Sequence, residues 1–153
     1  MNETVVLAAG GTGGHLFPAE SLARVLRRLG VRVVLATDDR VGDLARNFPA
    51  DEIVTIPSGT PSSRSPVKIV LALGALGAGY VSSTLMLRRV KPAVVVGFGG
   101  YPTVPPVLAA ARRGIPTIVH EQNGVIGRAN RFLAPRVSLI ATSFPDVKGI
   151  PEG

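Results

Sequence analysis

Cysteine and tryptophan are absent from the 153-residue sequence, which holds only two tyrosines, five phenylalanines and two histidines. Without cysteine there is no disulfide framework and no thiolate metal site, and a cytosolic setting follows naturally. So few aromatics leave little to stack on bases, and no nucleic-acid-binding motif occurs, so nucleic acid is not an expected partner. The N-terminus lacks the basic-then-apolar pattern of a signal peptide, because its first apolar run is only strand length. No His, Asp and Glu set has metal-ligand spacing, and no serine sits in a nucleophile elbow, so no resident metal is expected.

Acidic side chains are missing from the middle of the chain. Residues 53–120 contain no Asp or Glu, yet Arg64, Lys68, Arg88, Arg89, Lys91, Arg112 and Arg113 fall there. The formal net charge of +7 is therefore concentrated rather than spread. That asymmetry suits an anionic partner, either a membrane surface or a phosphorylated ligand.

What is present is apolar and periodic. Continuous Val/Ile-rich runs at 5–9, 31–36, 53–56, 93–97, 116–120 and 137–141 read as strands buried on both faces of a parallel sheet. Helical stretches at 17–29, 41–48, 66–90, 103–113 and 126–133 separate them. In the first, Leu22, Val25, Leu26 and Leu29 share a face, and Gly30 follows as a stop. Strands alternating with helices predict one doubly wound α/β domain, Rossmann-like, with right-handed crossovers. Residues 69–87 are uncharged over nearly a membrane span, but glycines and hydroxyls dilute them and they fall where a crossover helix is needed. The expectation is a helix packed on the sheet with an exposed end that touches lipid.

Three unusual stretches follow directly on predicted strands: Gly10-Gly11-Thr12-Gly13-Gly14-His15, Gly97-Phe98-Gly99-Gly100-Tyr101 and His120-Glu121-Gln122-Asn123. In an open parallel sheet ligands bind outside the carboxyl ends of the strands, so all three loops are expected on one rim. Glycines at a strand-to-helix join let backbone approach a ligand, and the helix start offers N–H groups to an anion. The P-loop is excluded, because Gly14 is followed by His15-Leu16 rather than by Lys-Ser or Lys-Thr. The dinucleotide fingerprint fails where Leu16 replaces its third glycine, although Asp38 and Asp39 resemble a ribose-binding acid and keep an NAD(P)-binding reading open. His15 lies near a helix start, which favours the neutral ring able to accept a proton. Glu121 closes a buried strand and must be paired, solvated or bonded to a ligand hydroxyl.

The stretches GGTGGHLFP, VGFGGYPTVPP and IPTIVHEQNGVIGRANRFLA resemble the N-terminal half of the MurG family, within glycosyltransferase family 28. The resemblance runs over nearly the whole chain. It implies a GT-B architecture of two Rossmann-like domains facing across a cleft. It also implies an inverting transfer of GlcNAc from UDP-GlcNAc to the 4-hydroxyl of undecaprenyl-pyrophosphoryl-MurNAc-pentapeptide (lipid I), making lipid II for peptidoglycan, with no protein-bound metal or cofactor. By the same resemblance His15 and Glu121 stand at the chemistry, His15 as base or as contact to the acceptor pyrophosphate. Thr12, Gly13, Gly14 and Asn123 face UDP-GlcNAc, while Tyr101, His120, Glu121 and Asn130 shape the acceptor pocket. Lys68, Ile69, Leu71, Leu73 and Leu76 become the contact with an anionic membrane, peripheral on the cytoplasmic face of the bacterial inner membrane. Two departures stand out: Ser58-Gly59-Thr60-Pro61 replaces a Gly-Leu-Arg-like stretch, and the sequence stops at Gly153 where the family continues. Residues 1–153 are thus expected to form a single acceptor-binding domain, inactive without its donor-binding half. The alternative is a membrane-docking subunit of a split GlcNAc transferase.

Overall fold

The computed structural model describes residues 3–61 and 65–151; Arg64 lies outside them. Six strands form one all-parallel sheet: β1 (Thr4–Ala8), β2 (Arg32–Thr37), β3 (Glu52–Thr55), β4 (Val94–Gly97), β5 (Thr117–Glu121) and β6 (Leu139–Thr142). Their spatial order is β3-β2-β1-β4-β5-β6. The order reverses between β1 and β4, which opens a crevice at the carboxyl ends of those strands.

Both faces of the sheet are covered, which explains the continuous apolar runs. Val5, Leu7, Val33, Leu35 and Val96 pack under helix α1 (Gly13–Arg28) and Phe48, which follows the short α2 (Gly42–Arg46). Val6, Val34, Val95 and Val119 turn the opposite way, into a second layer with α3 (Pro66–Val90), α4 (Val104–Arg112) and α5 (Arg128–Leu133). Successive residues of each strand alternate between the two layers, as a pleated backbone requires.

The first helix differs from its expected form in two ways. It begins at Gly13, a turn before Phe17, so Pro18 lies inside it and His15 belongs to its first turn. The buried stripe is Leu16, Ala19 and Ala23, whereas Val25 and Leu29 are exposed. Alanine lets the helix axis approach the sheet closely, and a pattern weighted to large side chains misses that face. The predicted 41–48 helix shrinks to α2 behind a 3-10 turn at Asp39–Val41.

Helix α3 is 25 residues long and apolar enough to cross a membrane by length and composition. It instead connects β3, at one edge of the sheet, to β4, which lies beyond β2 and β1, and its C-terminal half is packed by Gly79, Ser83, Met86, Leu87 and Val90. A Cβ at Gly79 would drive into the Pro57 carbonyl oxygen, so glycine sets how closely α3 lies on the chain. The N-terminal half is less packed, with Val67, Val70, Leu71 and Leu73 exposed; further along, Val81 and Leu85 are exposed on the outer side as well.

Candidate functional site

The three loops meet at the expected rim. His15 from the start of α1, Gly99 and Tyr101 after β4, and Glu121, Asn123 and Asn130 after β5 line a common cleft of about 270 Å³.

His15 is held in place by its own loop. Its Nδ1 lies 3.0 Å from Thr12 Oγ1, and the Gly10 carbonyl also bonds the ring. With its proton on Nδ1 the ring would donate to the loop and keep Nε2 as the basic nitrogen. The ring stacks on the β4 loop so tightly that a Cβ at Gly99, where φ is +96°, would stand 3.0 Å from Cδ2. Burial pushes the imidazole below its ordinary pKa of 6.5, against the opposing pull of the Gly10 carbonyl and the Glu121 charge. The ring is therefore neutral at neutral pH.

Glu121 is 1% exposed and saturated with donors. Its Oε1 accepts from the Asn123 N–H at 3.0 Å and from Asn123 Nδ2 at 2.8 Å. Its Oε2 accepts from the Gly127 N–H and from Asn130 Nδ2, both at 2.9 Å. Burial raises its pKa, but the bonds from Gly127, Asn130 and Asn123 outweigh that and hold it below 4.5. With four donors engaged, this carboxylate stays ionised and organises the β5 loop. Asn130, 2% exposed, also donates to the His120 carbonyl at 3.0 Å. Its Oδ1 has no partner among the described residues and is itself buried.

Not every expected residue converges. His120 precedes Glu121 in the strand and its ring turns to the other face, 5.5 Å from the Phe98 ring with Nε2 3.2 Å from Ser143 Oγ. It does not line the cleft, and burial lowers its pKa against the pull of Glu121 and Gln122. Thr12 caps α1, and Gly13 and Gly14 form its first turn; these three flank the cleft and reach it through His15.

Residues whose bracing role the sequence did not reveal hold the rim together. Asp38, read as a ribose acid, accepts from the Gly11 N–H at 3.1 Å and from Ser58 Oγ at 3.4 Å, and pairs with Arg40. Its oxygens brace the glycine loop, and Leu16 is buried in the core, so the NAD(P)-binding alternative has neither its acid nor its third glycine. Buried Thr103 donates to the Gly99 carbonyl at 2.7 Å, tying the β4 loop down. Alongside the cleft runs a second, apolar groove of about 300 Å³, lined by Leu73, Leu76, Val104 and Phe132. Tyr101 and Arg128 border both.

An open parallel sheet of this order, with glycine-rich loops gathered at the switch point, defines a Rossmann-like domain of the kind found in the N-terminal half of GT-B glycosyltransferases. Over 99% of the chain it superposes on the crystal structure of Acinetobacter baumannii MurG with a TM-score of 0.78 and 30% identity, covering 43% of that protein. Residues 5–142 match the glycosyltransferase family 28 N-terminal domain, and the chain belongs to that family. It is 61% identical over 96% of its length to a Methylobacterium sp. (strain 4-46) protein named UDP-N-acetylglucosamine--N-acetylmuramyl-(pentapeptide) pyrophosphoryl-undecaprenol N-acetylglucosamine transferase. A Chelativorans sp. (strain BNC1) protein of the same name is 57% identical over 92% of the chain. The chain spans about two fifths of the length of these curated relatives, covering 40% and 38% of them. A UDP-N-acetylglucosamine 2-epimerase superposes with a TM-score of 0.68 at 14% identity, a likeness of fold alone.

Proposed function

We propose that the chain is the acceptor-binding half of an inverting transferase that moves GlcNAc from UDP-GlcNAc to the 4-hydroxyl of lipid I. The observation that carries this reading is the cleft itself: a neutral imidazole shares it at the switch point with Glu121, Asn123 and Asn130, which are bonded to one another. His15 takes the proton of the attacking hydroxyl on Nε2 as the bond to the anomeric carbon forms and UDP leaves. Asn130, tied to the His120 carbonyl and to Glu121, shapes the acceptor wall. Glu121 acts by position, orienting Asn130 and Asn123 and favouring the imidazolium formed in the transfer. Thr12, Gly13, Gly14 and Asn123 face the donor, and Tyr101 borders the acceptor. Because a GT-B cleft takes its donor site from a second domain, the 153 residues alone bind acceptor without transferring sugar.

The exposed start of α3, with Lys68, Leu71 and Leu73, supports peripheral docking on the cytoplasmic face of the plasma membrane. Ile69 and Leu76 are half-buried beneath it.

The test is transfer by the chain joined to a donor-binding half, using a water-soluble lipid I analogue. His15→Ala should lower kcat by roughly 10²-fold or more while acceptor binding to the 153-residue chain persists. Transfer undiminished by that change, or no saturable analogue binding, overturns the reading.

A further inference from the structure

Arg128 stands where two different environments meet. On one side lies the cleft that includes His15, Glu121 and Asn130; on the other, the groove of Leu73, Leu76, Val104 and Phe132, which has hardly any polar lining. Both include Arg128 and Tyr101 in their walls. Leu73 and Phe132, which line the groove, are themselves exposed. The guanidinium has no hydrogen bond or ion pair recorded among the described residues, while nearby Glu121 already receives four other donors. A planar, always charged fork at such a boundary matches one ligand chemistry: an anionic group joining a polar head to a hydrocarbon tail.

We propose that Arg128 binds the diphosphate of an isoprenyl-diphosphate-linked sugar, and that the groove between α3, α4 and α5 takes the first isoprene units of its tail. This rests on the acceptor reading above and adds to it a residue and a direction. The sugar enters the cleft toward His15, the diphosphate stops at Arg128, and the hydrocarbon leaves past Leu76 and Leu73 toward the membrane-facing end of α3. His15 is then free for the proton rather than for the pyrophosphate. Length and charge patterning alone did not single out Arg128, because an arginine at the start of a short helix usually serves only as solvated surface.

The experiment is calorimetric titration of the chain with farnesyl diphosphate, farnesol and inorganic pyrophosphate, beside the soluble lipid I analogue. Farnesyl diphosphate should bind more tightly than either part alone. Arg128→Ala should weaken it by about tenfold or more, and Arg128→Lys by less, because lysine keeps the charge but loses the fork. Leu76→Glu should weaken farnesyl diphosphate without changing pyrophosphate. Thermal denaturation checks folding; Arg128 is exposed, so its variants should melt as the parent does. Binding of the lipid I analogue that is the same in the parent and in Arg128→Ala, with no farnesyl diphosphate binding, overturns this inference and leaves the acceptor reading standing. Failure of the lipid I analogue to bind at all overturns both.

Discussion

At the scale of single residues, Glu121 governs the site by what it receives. Four donors converge on a carboxylate that is almost wholly removed from water. Glu121→Ala leaves the Gly127 N–H and the Asn130 amide without their acceptor, at a cost of about 3 kcal/mol. Urea denaturation should record this as a clear drop in midpoint; an unchanged midpoint would refute the bracing role. Glu121→Gln keeps the shape but removes the charge that favours protonation of His15. The imidazole resonances of that variant should titrate at lower pH than in the parent, measured by NMR. Asp38 makes the companion point. An acid after the second strand invites a ribose, yet tertiary contact gives its oxygens to Gly11, Ser58 and Arg40.

At the scale of elements, α3 divides its labour along its length. The C-terminal half is anchored by small residues, Gly79 and Ser83, against which α4 packs. The N-terminal half presents Leu71, 67% exposed, and Leu73 beside Lys68. Burying one such leucine in lipid contributes about 1.5–3 kcal/mol, and a basic side chain near anionic lipid about 1 kcal/mol. Leu71→Glu should therefore lower co-sedimentation with anionic vesicles by about tenfold while the melting temperature stays put. Pelleting that survives both this change and high salt would show that another surface carries the contact. A whole-helix hydropathy average conceals this division, because it cannot tell an apolar residue under α4 from one in water.

For the whole molecule, the shifted histidines and carboxylates act in one direction. His15 and His120 are held below 6.5 by burial, so between their folded values and 6.5 the unfolded chain binds more protons. Stability therefore falls as pH drops through 6.5. Glu121 and Glu52 have folded values below 4.5, Glu52 chiefly through its bond with Arg89. Their contribution is present above 4.5 and is lost as pH falls through the folded values. Urea midpoints should accordingly decline in two stages from neutral pH toward acid; a flat profile between about pH 7 and about pH 5 would contradict the histidine part.

The order of strands and helices, the rim on which three loops gather, and the pairing of His15 with the β5 loop were all legible in the residues. Their physical basis is local: continuous Val/Ile runs demand a sheet covered on both faces, and glycines after strands mark where backbone must come close. Family 28 membership was legible for the same reason, since its motifs are those loops. Which side of β5 a ring faces, which acid braces a loop, and which arginine borders a groove were decided only in three dimensions. His120 turned to Phe98, Asp38 turned to Gly11, and Arg128 stood between cleft and groove because partners 27 or more positions away, or on other elements, claimed the alternatives. Side-chain direction is set by packing against distant chain, and no one-dimensional pattern contains that packing.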